Sequence, residues 1–360
     1  MKLMTILSGA IMCIVAAGCD NSNANSGPMS VLPAGWGQKD TVSTPADTTK
    51  PVDPVGPEES FTDWTDVSST FTGLPDYVKI FKSPAELEGR KAVAFIADVD
   101  LSKKSFSVWG ISDPSLQGSS DALKTPSQVY DAKNKPAVVI NGGYFYTDSG
   151  KSYAASLAVS NGTLLSPNIN YTSQDWVTVY YPTRAVFLEH KDGTYEVAWS
   201  YMTTSGKHYV YQQPADNSWD KSPLKTPDAG FPSTAATFEA VNGIGGGPVL
   251  LKGGEVVNSY KAEMFDYGGI NPTSPNNPRT AIGITADKHL VLFACEGRGM
   301  TQDVPGFTTE ELANILKAYG CTDAINLDGG GSSMMLVCGK ELFKPSDGKQ
   351  RAVGSCVYIL

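Results

Sequence analysis

The chain has 360 residues, with 28 Lys and Arg against 37 Asp and Glu, and a formal net charge of −9 at pH 7. This acidic balance argues against binding nucleic acid, or an anionic membrane face, through the overall field of the protein. Arginine is scarce, so an anionic ligand would depend on a few local arginine side chains.

The N-terminus, MKLMTILSGAIMCIVAAGC, has one lysine, an apolar stretch and small residues before Cys19. This pattern predicts a signal peptide over residues 1–18, because the apolar stretch is too short to span a bilayer. The AAG before Cys19 resembles a bacterial lipobox. We therefore expect an exported protein whose lipidated Cys19 anchors it to a bacterial membrane, in the periplasm or at the cell surface. Ordinary secretion with cleavage nearby is the alternative.

Residues 19–59 are mostly Asn, Ser, Thr, Pro, Gly and Asp. Such a segment buries too little apolar surface to offset its ordering entropy, which predicts a disordered tether behind the lipidated cysteine. The remaining residues, 60–360, are long enough for one large domain. We expect a single catalytic domain that is monomeric.

Two helices have clear start signals. In TPSQVYDAKN, Thr125 is the predicted cap, proline follows it, and Gln128 occupies the capping-box position. In TTEELANILKAYG, Thr308 and Glu311 form the same box and Gly320 ends the helix.

Strands dominate the rest of the chain, and three stretches read as strand–turn–strand: about 91–111, RAVFLEHKDGTYEVAWSY, and about 279–297. The order strand–strand–helix–strand occurs twice, at about 90–145 and 279–335, ending at Asn141 and Asn326. We predict an α+β fold with mixed or antiparallel sheets and few helices, built from these two pseudo-repeats. Coincidence among glycine-rich turns is the alternative.

Between the pseudo-repeats, an insert at about 160–240 is β-rich and aromatic. Most of its rings are expected to pack within a sheet, with one or two lining a cleft. Four cysteines follow Cys19, and all lie in the last quarter of the chain: Cys295, Cys321, Cys338 and Cys356. In an exported protein, one or two disulfides are expected rather than a metal site, with buried free thiols as the alternative.

Several motifs are absent from the sequence. It contains no Gly-x-Ser-x-Gly elbow and no phosphate loop, and in GIGGGP a proline and a strand follow where a dinucleotide fold needs a helix. The three histidines are far apart, which argues against a zinc site. We expect no cofactor, and the sequence leaves metal dependence open.

Polar groups beside glycine or proline recur where predicted strands end, in INGGYF, NNPRTAIGI, CEGRG, NLDGGGSS and KPSDGKQRAV. Glycine N–H groups can form a nest for anionic oxygens, and arginines can bind a phosphate or carboxylate in a bidentate manner. The candidate residues at these ends are the carboxylates Asp328 and Glu296, the arginines Arg279, Arg298 and Arg351, the amides Asn141 and Asn326, the glycines Gly142, Gly143, Gly329 and Gly330, and the hydroxyls Ser332 and Ser333.

These stretches resemble the phosphodiester glycosidase family over about residues 90–360. INGGYF is similar to the family's Asn-Gly-Gly-aromatic-Phe, PRTAIGI to its Pro-Arg-Thr segment, and NLDGGGSS is nearly its signature. The sequence departs at Glu296, where the family has Asp, and at Lys344, where Asn is usual.

The resemblance implies hydrolysis of a glycosyl-1-phosphodiester to free sugar and phosphate monoester. With the strand-end placement, it implies that the arginines hold the phosphate and that Asp328 and Glu296 act as nucleophile or as base for water. The asparagines would hold sugar hydroxyls or orient a carboxylate. Arg279 could instead pair structurally with a carboxylate. The alternatives are a surface lipoprotein that binds polysaccharide without cleaving it, and a glycosidase acting on uncharged glycans.

Overall fold

The structure is a computed structural model that describes residues 63–112, 122–267 and 269–360. The predicted signal peptide, Cys19 and the tether lie outside the described residues. The described chain contains twenty-four strands, numbered along the chain, and two α-helices, α1 (Pro126–Ala132) and α2 (Thr309–Tyr319). Every strand pair in these residues is antiparallel, which confirms the predicted α+β class with few helices.

The strands form three sheets and two separate hairpins. The largest sheet has the spatial order β1 (Thr65–Asp66), β2 (Val78–Lys82), β5 (Ala94–Asp100), β20 (His289–Cys295), β19 (Thr280–Thr285), β21 (Cys321–Asn326), β17 (Val249–Lys252) and β18 (Glu255–Val256). The seven-stranded sheet has the order β11 (Thr163–Ser166), β10 (Ala158–Ser160), β16 (Asn242–Gly245), β12 (Arg184–Glu189), β13 (Tyr195–Met202), β14 (His208–Tyr211) and β15 (Ala236–Thr237). The five-stranded sheet has the order β23 (Lys340–Glu341), β22 (Met335–Val337), β7 (Val138–Asn141), β24 (Ser355–Ile359) and β6 (Ser107–Gly110). The hairpins are β3 (Glu86–Leu87) with β4 (Arg90–Lys91), and β8 (Phe145–Asp148) with β9 (Lys151–Ala154).

One apolar core lies between the three sheets. Ile282 and Leu292 of the largest sheet pack in the same buried cluster as Ile140 of the five-stranded sheet and Phe187 and Trp199 of the seven-stranded sheet. Because each sheet buries its inner face here, the alternating apolar positions of the sequence fix the strand registers.

The helices cover outer faces of the sheets. Leu312, Ile315 and Leu316 of α2 pack against the outer face of the largest sheet, and Val129 of α1 packs in the cluster beneath the five-stranded sheet. Both helices begin with the predicted capping box, and α2 ends at Gly320 with a φ of +110°. Within the described residues, no helix has the length and apolar composition needed to cross a bilayer.

Both predicted pseudo-repeats show the order strand, strand, helix, strand, but their pairing differs. In the second, β19 and β20 form a hairpin and β21 pairs with β19. In the first, the predicted hairpin at 91–111 is wrong, because β5 lies in the largest sheet and β6 in the five-stranded sheet. β5 pairs with β2 on one edge and with β20 on the other, so it has no free edge for β6. Phe106, just before β6, is buried where the chain passes from the largest sheet to the five-stranded sheet.

The insert contributes β11 to β15 of the seven-stranded sheet. Its rings Tyr180, Trp199, Tyr201 and Tyr211 are buried, as expected for sheet packing, whereas Trp176 is 49% exposed. The hairpin of β12 and β13 is the one predicted around the Asp-Gly turn.

The expected disulfides are not formed, because all four described cysteines are free thiols. Cys321 and Cys295 lie at opposite ends of β19. Cys321 pairs with Thr285, the last residue of β19, whereas Cys295 follows Ala294, which pairs with Thr280, the first residue of β19. Cys356 pairs with the last residue of β7, and the Cys338 N–H donates to the residue just before β7. Each of these two pairs is therefore separated by the length of a strand, beyond the reach of a disulfide.

The cap of α2 yields a stability prediction. The Thr308 hydroxyl accepts from Glu311 N at 3.1 Å, and Glu311 Oε2 accepts from Thr308 N at 2.7 Å. We expect Thr308→Ala to lower the free energy of unfolding by about 1 kcal/mol, because an N–H at the helix start loses its acceptor. Thr308→Ser, which keeps the hydroxyl, is the matched control in urea unfolding. Equal stability of Thr308→Ala and the parent protein would contradict this assignment.

Candidate active site

The site is built where the ends of β7 and β21 meet. Asp328 N donates to the Gly142 carbonyl at 3.0 Å, and Asn141 Nδ2 donates to the Asp328 carbonyl at 2.6 Å. Asn141 Oδ1 accepts from Thr280 Oγ1 at 2.9 Å and from Met334 N at 3.1 Å. Asn141 is fully buried, so of the two roles predicted for it, the contacts support orienting the segment that carries the carboxylate.

Asn326 joins the glycine-rich turn at residues 246–248 to the same strand ends. Its Nδ2 donates to the Gly247 carbonyl at 3.0 Å and to Tyr144 Oη at 2.9 Å. Tyr144 Oη in turn donates to the Gly247 carbonyl at 2.7 Å, and Gly247 N donates to the Asn326 carbonyl. Asn326 is buried, with 1% of its surface exposed. It therefore positions Tyr144 and the 246–248 turn rather than a sugar hydroxyl.

A cleft of about 510 Å³ opens beside these strand ends. It brings together Asp328 and all three of the predicted arginines. Its lining consists of Tyr144, Phe145, Gly269, Ile270, Asn277, Arg279, Arg298, Asp328, Gly329, Gly330 and Arg351. The predicted convergence of one carboxylate with the arginines is therefore present in the structure.

The arginines differ in what they hold. Arg279 is 2% exposed, and its guanidinium donates to the carbonyls of Phe307, Ile270 and Asn271 at 2.8, 3.2 and 2.8 Å. Burial lowers the pKa of Arg279 to about 10, so it stays charged at neutral pH. It stabilises one wall of the cleft, and none of its hydrogen bonds goes to Asp328 or Glu296.

Arg298 and Arg351 are only partly buried and lie on either side of the glycine run. Arg298 Nη2 donates to Asn277 Oδ1 at 3.3 Å. Arg351 forms an ion pair with Asp347 Oδ2, at 2.8 Å from Nε and 2.6 Å from Nη2. Both guanidinium groups line the cleft with Asp328 and lower the pKa of its carboxyl, and a planar guanidinium is the side chain best suited to bind an oxyanion.

The three glycines after Asp328 allow these arginines to approach the backbone. A Cβ at Gly330, which has a φ of +59°, would lie 2.9 Å from Arg298 Nη2. A Cβ at Gly331 would lie 2.2 Å from Arg351 Nη2 and 2.3 Å from both carboxylate oxygens of Asp347. The glycine run is thus required by close packing of charged side chains.

The expected nest of free glycine N–H groups is largely occupied by the protein itself. Gly142 N donates to the Ser355 carbonyl at 2.8 Å, Gly143 N to Ser355 Oγ at 3.0 Å, and Gly330 N to the Pro278 carbonyl at 3.0 Å. Gly329 N donates toward the Asp328 carboxylate. Strand-end backbone in a buried site must satisfy its own donors, which leaves few for a ligand.

Ser332 and Ser333, which were also predicted to bind substrate, are each 1% exposed. Neither is among the residues that line the cleft. Ser333 Oγ lies within hydrogen-bond distance of Thr280 Oγ1, at 3.2 Å, and the Ser332 hydroxyl lowers the pKa of the neighbouring Asp328. Both hydroxyls therefore act from beneath the cleft.

Glu296 does not join Asp328, contrary to the sequence prediction. Its backbone N–H donates to the Val93 carbonyl and so continues the ladder of β20, while Glu296 Oε1 accepts from Lys344 N at 3.0 Å. The side chain is 3% exposed and does not line the cleft. The extended ladder therefore directs Glu296 toward the Lys344 segment and away from the arginines.

Asp328 is the carboxylate whose chemistry the site alters. Burial raises the pKa of its carboxyl to about 6, against opposing effects of the Ser332 hydroxyl and of the Arg351 and Arg298 guanidinium groups. A carboxylate that titrates near neutral pH is typical of a group that exchanges protons or attacks during a reaction. Within the described residues, no group of three or more His, Cys, Asp or Glu side chains is arranged to hold a metal ion.

The sequence reasoning missed three contributors to the site. Asp347 holds Arg351, Asn277 holds Arg298, and Tyr144 forms the wall between this cleft and a second pocket. A signal existed for the first, since Asp347 and Arg351 have opposite charges four residues apart within the stretch PSDGKQR. Asn277 and Tyr144 lay inside stretches that were singled out for other residues.

The raised pKa of Asp328 predicts how stability depends on pH. Ionising this carboxyl is harder in the folded state than in the unfolded state. The folded state therefore loses stability as pH rises from about 4, where the unfolded carboxyl ionises, to about 6, where the folded one does, and the loss is complete above about pH 6. The free energy of unfolding of Asp328→Asn, relative to that of the parent protein, should therefore rise by roughly 2–3 kcal/mol between about pH 4 and pH 6. The measurement is urea unfolding at pH 4, 6 and 8.

The control is Asp216→Asn, whose carboxylate is 83% exposed in a surface pair with Lys221. This variant should show no such gain with rising pH. A difference between Asp328→Asn and the parent protein that does not change with pH would contradict the buried, high-pKa carboxyl.

Comparison with solved structures shows that the fold recurs. The catalytic domain of zebrafish N-acetylglucosamine-1-phosphodiester alpha-N-acetylglucosaminidase, auto-inhibited by its pro-peptide, matches with a TM-score of 0.52 and 23% identity, covering 80% of this chain and 85% of that chain. A hypothetical protein from Synechocystis matches with a TM-score of 0.50 and 15% identity, covering 79% of this chain and 62% of that chain. At these identities the similarity shows a shared fold.

Sequence comparison gives the family. The SPbeta prophage-derived uncharacterized protein YomE of Bacillus subtilis is 37% identical over 98 residues, or 27% of this chain and 14% of that protein. The mouse N-acetylglucosamine-1-phosphodiester alpha-N-acetylglucosaminidase is 35% identical over 78 residues, or 22% of this chain and 14% of that protein. The match thus spans about a seventh of each curated relative. The family model for phosphodiester glycosidase matches residues 134–360, more than half of the chain, and the chain belongs to that family.

Proposed function

We propose that this protein is a hydrolase that cleaves a glycosyl-1-phosphodiester into a free sugar and a phosphate monoester. The observation that carries the proposal is the cleft in which Asp328, with a pKa of about 6, lies beside Arg298 and Arg351. Membership of the phosphodiester glycosidase family and the printed activity of the mouse relative point to the same reaction class.

In this proposal the phosphate lies between Arg298 and Arg351. Both guanidinium groups line the cleft, and both are charged donors that match the oxygens of a phosphodiester. The buried Arg279 holds the wall at residues 270–274 and adds positive potential beneath it. A fixed set of cations of this kind stabilises the negative charge that grows on the departing phosphate.

The bond that breaks joins the anomeric carbon to the phosphate oxygen. That oxygen leaves with the electron pair as part of a phosphate monoester, whose own second pKa is about 6, and the oxygen of water ends on the anomeric carbon. Such a leaving group needs charge stabilisation more than a strong acid. This agrees with a cleft in which Asp328 is the only carboxylate among the lining residues.

Asp328 acts in its ionised form. It either attacks the anomeric carbon or takes the proton of the attacking water, and both roles require a carboxylate that has lost its proton. Asn141 and the Gly142 carbonyl fix the backbone of Asp328 from beneath, so the carboxylate is held in place before substrate binds.

A protein that only binds polysaccharide would need ring faces but no cluster of a carboxylate with arginines. Asp328 shares one cleft with three arginines, one of which is held by Asp347 and another by Asn277. This arrangement favours the hydrolase over the binding protein.

We also propose that the enzyme works outside the cytoplasm, as a monomer attached to a bacterial membrane. The support is the N-terminal sequence, in which an apolar leader and AAG precede Cys19. Metabolic labelling with a radioactive fatty acid tests this directly. Label should appear in the full chain and be absent from Cys19→Ser.

The first activity prediction concerns Asp328 itself. Asp328→Asn should reduce turnover of N-acetylglucosamine-1-phosphodiester and other glycosyl-1-phosphodiesters by about 10²–10⁴-fold, because the reacting carboxylate is lost. Release of free sugar is the measurement, and Asp216→Asn is the control. Parent-level turnover by a folded Asp328→Asn would rule out the assigned role.

The second activity prediction concerns the dependence of the rate on pH. Because Asp328 acts ionised, kcat/KM should rise with pH through about 6, the pKa of its carboxyl. Arg351→Gln removes a cation that lowers this pKa and frees the Asp347 carboxylate, so the rising limb should move to higher pH. Lys317→Gln, which breaks a surface pair with Glu255, is the control and should leave the limb in place. A rate that falls through pH 6 would mean that Asp328 works as an acid.

A further inference from the structure

A second pocket adjoins the cleft, and nothing in the proposed reaction uses it. It is an open pocket of about 570 Å³ that shares Tyr144 and Ile270 with the first cleft. Most of its lining is apolar or aromatic, including Ala155, Met264 and Phe265. One charged side chain, Arg184 at the start of β12, also lines it.

Arg184 is a buried cation that forms no ion pair with any residue the structure describes. Only 6% of its surface is exposed, and its guanidinium lies over the ring of Phe265, 4.2 Å from the centroid. Nη1 has no hydrogen-bond partner within the described part of the chain. Burial lowers the pKa of Arg184 to about 10, so the side chain still carries its charge at neutral pH.

Glu263 acts on Arg184 electrostatically but does not form an ion pair with it. Glu263 is fully buried, and its Oε2 accepts from Ala185 N at 2.8 Å. Its Oε1 accepts from Trp199 Nε1 at 3.0 Å, from Val249 N at 2.8 Å and from the Ser259 hydroxyl. Glu263 therefore holds the strands together, and no ion pair joins it to Arg184. A buried guanidinium with an unpaired N–H is costly, and because Arg184 lines the pocket, an anionic ligand there would offset the cost of its buried charge.

One exposed aromatic ring lines this pocket and packs against neighbouring rings. Tyr267 lines the pocket and is 47% exposed. Its ring centroid lies 5.7 Å from that of Trp219, which in turn lies 5.0 Å from that of Tyr180. Trp219 is held in place by a 2.7 Å hydrogen bond from Nε1 to Asp266 Oδ1. Exposed faces of this kind stack on the apolar faces of sugar rings.

We propose that the adjoining pocket binds a sugar ring that carries a carboxylate, and that Arg184 recognises that carboxylate. This inference rests on the proposed function, because it assumes that a phosphodiester substrate occupies the first cleft. The acidic ring would then be the part of that substrate that extends past Tyr144 into the second pocket. A planar guanidinium matches a carboxylate in a bidentate manner, and the apolar lining and Tyr267 match the ring. The enzyme would thereby select acidic glycans.

The test measures binding without catalysis. Isothermal titration of glucuronate and of glucose into full-length Asp328→Asn should show glucuronate binding at least about tenfold more tightly, as expected for one charge-assisted hydrogen-bond pair. Adding Arg184→Met should abolish this preference, Arg184→Lys should retain part of it, and Lys207→Gln, an exposed cation, should leave it unchanged. Thermal unfolding of each variant confirms folding.

A second variant keeps the test decisive if Arg184→Met does not fold. Ala155→Leu enlarges a side chain in the lining without touching the charge, and it should abolish glucuronate binding. Equal affinity for the two sugars, or a preference that survives Arg184→Met or Ala155→Leu, overturns the proposal. So does a preference that is lost in Arg351→Gln, because the carboxylate would then occupy the first cleft.

These outcomes are separate from those of the proposed function. Binding of glucuronate does not require turnover, so failure of the parent protein to hydrolyse any glycosyl-1-phosphodiester would leave the Arg184 result standing. Conversely, if the protein hydrolyses a glycosyl-1-phosphodiester but shows no preference for glucuronate, only the proposal for the second pocket is overturned.

Discussion

The site depends on the hydrogen bonds that join two strand ends from different sheets. Asn141 ends β7 in the five-stranded sheet, and its amide reaches the Asp328 carbonyl beyond the end of β21 in the largest sheet. The Asp328 N–H returns the contact to the Gly142 carbonyl. Because the Asn141 amide is fully buried, losing its bond to Asp328 would leave a costly unpaired polar group, so the two sheets hold this carboxylate in one position.

Around that fixed carboxylate, charge and burial act in opposite directions. Burial raises the pKa of Asp328, whereas Arg351 and Arg298 lower it, and the balance near 6 keeps the group mostly ionised at neutral pH. The glycines at 330 and 331 make this balance possible, since a side chain at either position would displace an arginine. Packing and electrostatics therefore impose the same sequence, Asp-Gly-Gly-Gly.

Local signals could be read from the sequence, and long-range ones only in part. The cap at Thr308 and the stop at Gly320 depend on neighbouring residues, so they were predictable. The meeting of Asp328 with the arginines followed from placing polar groups at strand ends. Glu296 was misplaced because its ladder with Val93 continues past the predicted strand end. Arg184 was overlooked because a strand sequence does not show that one of its guanidinium nitrogens, Nη1, lacks a hydrogen bond within the described residues.

The central claim is that the anomeric carbon, and not phosphorus, is attacked. Hydrolysis of a glycosyl-1-phosphodiester in ¹⁸O-labelled water, followed by ³¹P NMR and mass spectrometry of both products, tests this most directly. The account predicts that ¹⁸O enters the sugar at the anomeric carbon and that the phosphate monoester stays unlabelled. Label in the phosphate would show attack at phosphorus, and would contradict the roles assigned to Asp328 and the arginines.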